Sequence, residues 1–121
     1  MSQSTATIKI KNLRLRAYIG FNEEERTKLQ DIVINAIIKY DAKDAIYTDE
    51  VNDAVNYKTI TKQIINHVSE SNFLLLEKLV NDVLQIIKDA HEDIFSASVE
   101  VDKPHALRFS DSVSLSLSFD R

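Results

Sequence analysis

The side chains able to do chemistry in this chain stand singly, each at the end of a segment. Lys103 precedes the only proline, in Lys103-Pro104-His105, and Glu25 follows the only glycine, Gly20, by five residues. Tyr57 opens one helical pattern and Glu77 lies near the start of another. A lysine, a tyrosine and two carboxylates are proton-transfer groups. Taken one at a time, each has a plainer reading. A carboxylate in a first helical turn offsets the helix dipole, by about 0.3–1 kcal/mol. A tyrosine at a helix start is commonly a core-edge residue, and a lysine at a strand end a surface charge. Pro104 fixes its own φ and pushes Lys103 towards extended geometry, so the lysine backbone should be held.

Other chemistries lack their residues. There is no cysteine, hence no thiolate nucleophile, disulfide or sulfur-ligated metal. The three histidines, His67, His91 and His105, show neither HxxxH nor HxH spacing, so no metal site is expected. His67 reads as helix surface, and His91 as a helix C-terminal residue where positive charge is favoured. His105, beside Lys103, is the one histidine with a claim to a site. No Gly-rich phosphate loop, GxSxG or kinase signature occurs. The net charge of −4 argues against general nucleic-acid binding, and an anionic ligand would need a local basic cluster.

These residues need elements to hold them. Ala97, Val99 and Val101 alternate with Ser98, Glu100 and Asp102. Val113, Leu115, Leu117 and Phe119 alternate with Ser112, Ser114, Ser116 and Ser118. Both are the period-two pattern of half-buried strands. Residues 7–19 form another strand, whose apolar phase slips between Lys11 and Leu13 as a β-bulge would cause. That bulge would gather Lys9, Lys11, Arg14 and Arg16 on one face, either a solvated face or an anion site. Gly20 ends the strand and implies positive φ or a close backbone approach; Phe21 to Arg26 reads as a polar connection.

Residues 29–41 are apolar on both faces, so both should be covered at least in part. Ala42 to Asn56 reads as an acidic connection with room for a short helical turn. Tyr57 to Glu70 carries Tyr57, Ile60, Ile64, Ile65 and Val68 at helical spacing. Asn72 is a candidate N-cap for a second helix, in which Leu76, Leu79, Val80, Val83, Leu84 and Ile87 form a strong apolar stripe ending near His91. The order is β-β-α-α-β-β. It implies an α+β fold with two helices on one face of an antiparallel sheet, in a single domain spanning 1–121. One glycine and one proline in 121 residues leave few tight turns. Long strands in so small a chain leave edges that one copy cannot cover, so an oligomer is expected. No run of 18 apolar residues occurs and MSQSTATIKIK has no leader-like apolar core, so a cytoplasmic location is expected, away from membranes.

The segments IKNLRLRAYIG, QDIVIN, DAVNYKTITKQI, LLEKL, VEVDK and HALRFSDSVSLSLS together resemble the dihydroneopterin aldolase/epimerase family over nearly the whole chain. The markers shared by its members are Gly20 with Glu25, Tyr57, Leu76-Glu77 and Lys103. HALRFSDSVS is similar to the epimerase branch, since aldolases often carry a Pro-Gly-rich segment there. The resemblance implies a T-fold: subunits close a barrel-like tetrameric ring with helices outside, two rings stack into a homo-octamer, and pterin sites lie between neighbours.

It also implies roles. Lys103, Tyr57 and Glu25 would be the acid–base group. Glu77 would anchor the pterin, with the backbone beside Leu76 and near Asn56 completing the pocket. The reaction implied is retro-aldol cleavage of the C1′–C2′ bond of 7,8-dihydroneopterin 3′-triphosphate and re-addition with C2′ inverted. The substrate's own imine takes the electron pair, so no cofactor and no metal is expected. An aldolase releasing 6-hydroxymethyl-7,8-dihydropterin and glycolaldehyde is the alternative, and a non-catalytic oligomeric ligand-binding module the second. For the triphosphate, charge and position offer Lys9, Lys11, Arg14, Arg16, Lys58, Arg108 and His105, with Arg108 and His105 favoured by their place in the epimerase-like stretch.

Overall fold

The structure, a computed structural model, describes residues 4–121. The alternating segments form β1 (Thr5–Ile19), β2 (Gln30–Asp41), β4 (Ile94–Lys103) and β5 (Val113–Asp120). A two-residue strand, β3 (Asn72–Phe73), joins them, and the sheet order is β3-β1-β2-β4-β5. All pairings are antiparallel except β1 with β3, which is parallel.

The slip of apolar phase in β1 is a bulge. Ile10 opposes Ala36 and Leu13 opposes Ile34, so Lys11 and Asn12 together face Asn35. Asn12 takes φ +53°, a conformation asparagine tolerates better than most residues. Its backbone N–H donates to Asn35 Oδ1 at 2.9 Å, and Asn35 Nδ2 donates back to Asn12 Oδ1 at 3.3 Å. The extra residue keeps Ile8, Ile10, Leu13 and Leu15 on the core face. It leaves Lys9, Lys11, Arg14 and Arg16 together on the other, exposed.

The core face runs in rows across the strands: Ile8, Ile38, Ala97, Phe119; then Ile10, Ala36, Val99, Leu117; then Leu13, Ile34, Val101, Leu115. Helices α3 (Tyr57–Glu70) and α4 (Leu76–Lys88) cover it. Ile60, Ile64 and Val68 of α3 and Leu79, Val80, Val83, Leu84 and Ile87 of α4 are buried. Each large side chain so buried contributes about 1.5–3 kcal/mol. The opposite face of the sheet is not covered by the described residues: Ile37 on β2 is 40% exposed, with Ser98 and Ser118 beside it in register. The expectation that both faces of β2 are covered therefore holds within one chain for the helix side alone.

Three local expectations need correction. Asn72 does not cap the second helix; it lies in β3, and the residue at the N-cap of α4 is Leu75, which offers no side-chain cap. That helix ends at Lys88, short of His91. The polar connection after Gly20 contains a short helix, α1 (Glu23–Thr27). The acidic connection behaves as expected, forming α2 (Lys43–Thr48) and a 3-10 turn at Val51–Asp53. No helix among the described residues is long and apolar enough to cross a membrane.

Candidate active site

The site grows from Gly20. Its φ is +138°, and a methyl group built there would come within 2.6 Å of Glu25 Cβ and closer still to its carboxyl carbon. The glycine is thus the close approach that lets the Glu25 side chain fold back over the end of β1. Asn22 starts the turn that makes this possible, its Oδ1 accepting from the Glu25 backbone N–H at 2.9 Å. The Asn22-x-x-Glu25 spacing is a helix-start signature, visible in the sequence and missed there.

Glu25 Oε2 accepts a hydrogen bond from Lys103 Nζ at 2.9 Å. The lysine side chain is only 12% exposed and the glutamate 23%. Lys103 reaches this point because β4 ends beside β2, and the Pro104 turn closes with a bond from the Ala106 N–H to the Lys103 carbonyl. The Lys103 ammonium, first by its hydrogen bond and then by its charge, holds the Glu25 carboxyl below its ordinary value. Partial burial opposes this, and bonds from the Asn22 cap and Gln30 reinforce it. Gln30 also donates its amide to the Ile19 carbonyl, tying β2 to the end of β1. Nothing in the sequence marked Gln30.

Glu77 lies at the same end of the molecule. The Gly20 N–H donates to the Phe73 carbonyl at 2.9 Å, so β3 and the start of α4 are fastened to the turn that carries Glu25. Glu77 is exposed in the first turn of α4, Leu76 packs against the core, and Leu74 and Leu75 are 56% and 50% exposed. A cleft of about 490 Å³, with Tyr18, Gly20, Phe73 and Leu74 in its walls, opens here.

Tyr57 and Asn56 lie elsewhere. Asn56 caps α3, its Oδ1 accepting from the N–H groups of Lys58 and Thr59. Tyr57 is 55% exposed beside Lys58, in a separate cleft of about 440 Å³. The start of α3 shares a crevice with Ala90 and His91, which follow the C-terminal end of α4, whereas Glu77 opens α4. The length of α4, roughly 20 Å, therefore separates Tyr57 and Asn56 from the Lys103–Glu25–Glu77 end within one chain.

The basic candidates also divide. His105 borders the cleft that contains Glu25 and, on its other side, the cleft that contains Arg14 and Arg16. Arg108 stands further out on the same loop, its guanidinium 5.3 Å from the centre of the Phe109 ring, in neither cleft. His67 bonds Asp82 at 2.7 Å and makes an edge contact with Phe73, a structural role on the helix layer.

A profile of the dihydroneopterin aldolase family, FolB, matches residues 8–118. The chain belongs to that family. Among its relatives, dihydroneopterin triphosphate 2′-epimerase of Escherichia coli K12 is 54% identical over 121 residues, all of both chains. The Pseudomonas aeruginosa enzyme of the same name is 47% identical, covering 96% of this chain and 94% of its own. In three dimensions, Escherichia coli dihydroneopterin aldolase, solved in complex with neopterin, superposes with a TM-score of 0.86 at 22% identity, covering 93% of this chain and 97% of that one. The T-fold topology of dihydroneopterin aldolases is thus the fold of this chain.

Proposed function

We propose that this member of the dihydroneopterin aldolase family inverts C2′ of 7,8-dihydroneopterin 3′-triphosphate to give 7,8-dihydromonapterin 3′-triphosphate. The observation that carries the reading is the enclosed Lys103–Glu25 pair at 2.9 Å. Its full-length setting is 54% identical to an epimerase of that name.

The 2′-hydroxyl gives up its proton and the C1′–C2′ bond breaks. Its electron pair moves into the C6=N5 imine, and N5 takes a proton. The pterin is then an enaminol and the fragment a two-carbon aldehyde bearing the triphosphate. The aldehyde turns its other face, C1′ attacks it, N5 returns its proton, and the new 2′-oxygen gains one. The pterin supplies the electron sink, so what the protein must add is proton transfer and restraint. Lys103 and Glu25 form a donor and an acceptor in contact, suited to exchanging those protons, with Tyr57 as their partner. Glu77 presents two carboxylate oxygens to the paired 2-amino and N3–H donors of the pterin, a charged bidentate match. Leu76 and Asn56 flank it.

The separation of Tyr57 and Asn56 from Lys103 supports a site completed by a neighbouring copy, in a homo-octamer of two stacked tetrameric rings. A substrate with several negative charges does not cross a bilayer unaided, in keeping with a cytoplasmic enzyme.

The test is to incubate the protein with dihydroneopterin triphosphate and with dihydroneopterin, oxidise, and separate the pterins. Monapterin as the main product from the triphosphate is the expected result. Hydroxymethylpterin alone would make the same site an aldolase, and no turnover of either would leave a binding module.

A further inference from the structure

We infer that Arg14, Arg16 and His105 seat the triphosphate tail, which rests on the substrate proposed above and adds where that substrate's charge is held. The chain is acidic overall, so the tail needs cations gathered in one place. On the sheet face turned away from the helices, a cleft of about 590 Å³ is walled by Arg14, Arg16, Asp31, Val33, Pro104 and His105. Arg14 and Arg16 are two residues apart on one strand. Their stems therefore stand about 7 Å from each other on the same face, a spacing suited to a row of phosphoryl groups rather than one.

The two guanidinium groups differ in how far they are committed. Arg16 Nε lies 3.4 Å from Asp31 Oδ1, and one of its terminal nitrogens donates to the Leu29 carbonyl at 3.2 Å. Those two anchors fix the plane of the guanidinium and leave its remaining N–H groups for an anion. The Arg14 side chain has no hydrogen bond or ion pair among the described residues. Asp31 is the one carboxylate in the cleft wall, and its charge faces both Arg16 and His105, whose Nε2 is 3.8 Å from Asp31 Oδ2. An incoming phosphate thus meets an excess of positive charge with one arginine already oriented. Arginine matches phosphate oxygens two at a time.

The position fits the chemistry. His105 is shared between this cleft and the one that contains Glu25, and it is two residues from Lys103. A side chain whose reacting carbons sit at the Lys103–Glu25 pair would pass His105 and run on to Arg16 and Arg14. Held there, the aldehyde fragment stays bound when C1′–C2′ breaks, which is what inversion requires and cleavage does not. Arg108 stands over Phe109 and lines neither cleft within one chain.

The test uses the full-length protein and two readouts. Binding of inorganic tripolyphosphate and of dihydroneopterin triphosphate is measured by titration calorimetry for the parent, Arg14→Gln, Arg16→Gln and, as a control for net charge on the far side of the molecule, Lys62→Gln. Kinetics are measured with the triphosphate and with dihydroneopterin. Each arginine variant is expected to weaken both phosphate ligands at least tenfold, and to raise KM for the triphosphate at least tenfold relative to dihydroneopterin. Lys62→Gln should shift neither. Equal effects on both pterins, equal effects of Lys62→Gln, or no tripolyphosphate binding by the parent would each overturn the assignment. If the parent binds the triphosphate through these arginines yet yields no monapterin, the seat stands and the proposed reaction falls.

Discussion

At the scale of single residues, the proposed reaction centre depends on a contact that no local pattern announces. Glu25 and Lys103 are 78 positions apart, and each taken alone is an ordinary surface charge. Pro104 hinted that Lys103 was held, and the family markers named both, but their meeting at 2.9 Å comes from the packing of α1 against β1, which brings Glu25 within reach of the lysine that ends β4. Gln30, which braces Glu25, had no signal, because an amide at a strand start is common.

Replacing Lys103 by Ala removes one member of the pair and should lower kcat by at least about 100-fold, the lower end of what positioned proton transfer contributes, while sedimentation shows assembly unchanged. Glu25 titrates lower in the folded chain than its ordinary 4.5, so its pair stabilises the fold fully above that value. That stability is lost as pH falls through the lowered folded value. Glu25→Gln should therefore flatten the acid limb of a melting-temperature profile below about pH 4.5, measured by scanning calorimetry. Glu77→Gln sets an amide donor against the pterin's donors and should weaken dihydroneopterin binding about 10-fold or more by titration calorimetry. An unchanged affinity would remove Glu77 from the pocket.

Among elements, the long strands and both main helices were legible because their apolar periods are uninterrupted, and the bulge because a strand cannot change parity without one. What escaped was short. β3 is two residues long, too brief for a period. Asn72 looked like a cap because asparagine before an apolar run usually is one, but here pairing with β1 carries the chain further before α4 begins. The helix α1 hid behind three glutamates. The element with most influence on the site is the turn at Gly20. Alanine there needs both an unfavourable φ and the space occupied by Glu25. Gly20→Ala should cost about 2–4 kcal/mol in urea unfolding and displace Glu25, so that turnover falls along with stability. A stable, active variant would separate the glycine from the site.

For the whole molecule, one chain leaves much unfinished. Among the described residues, β1 is paired on its outer side at Tyr18 and Ile19 alone, and β5 has one neighbour. Ile46, Tyr47 and Val51, near the start of α3, are 69%, 91% and 78% exposed, and on the loop after Lys103, Leu107 and Phe109 are 56% and 95%. Apolar side chains and open edges of this kind support the assembly with further copies proposed above.

The placing of Tyr57 and Lys103 at opposite ends of α4 has a genetic corollary. If each pocket draws one residue from each of two chains, two dead proteins can rescue one another. Lys103→Ala and Tyr57→Phe, each nearly silent alone, should regain up to about a quarter of parental activity when co-assembled at random from equal amounts, because a mixed pair then has one pocket with both wild-type residues. Mixing them after assembly, without subunit exchange, should restore nothing. Failure of the co-assembled sample to recover would mean that every pocket is built from one chain.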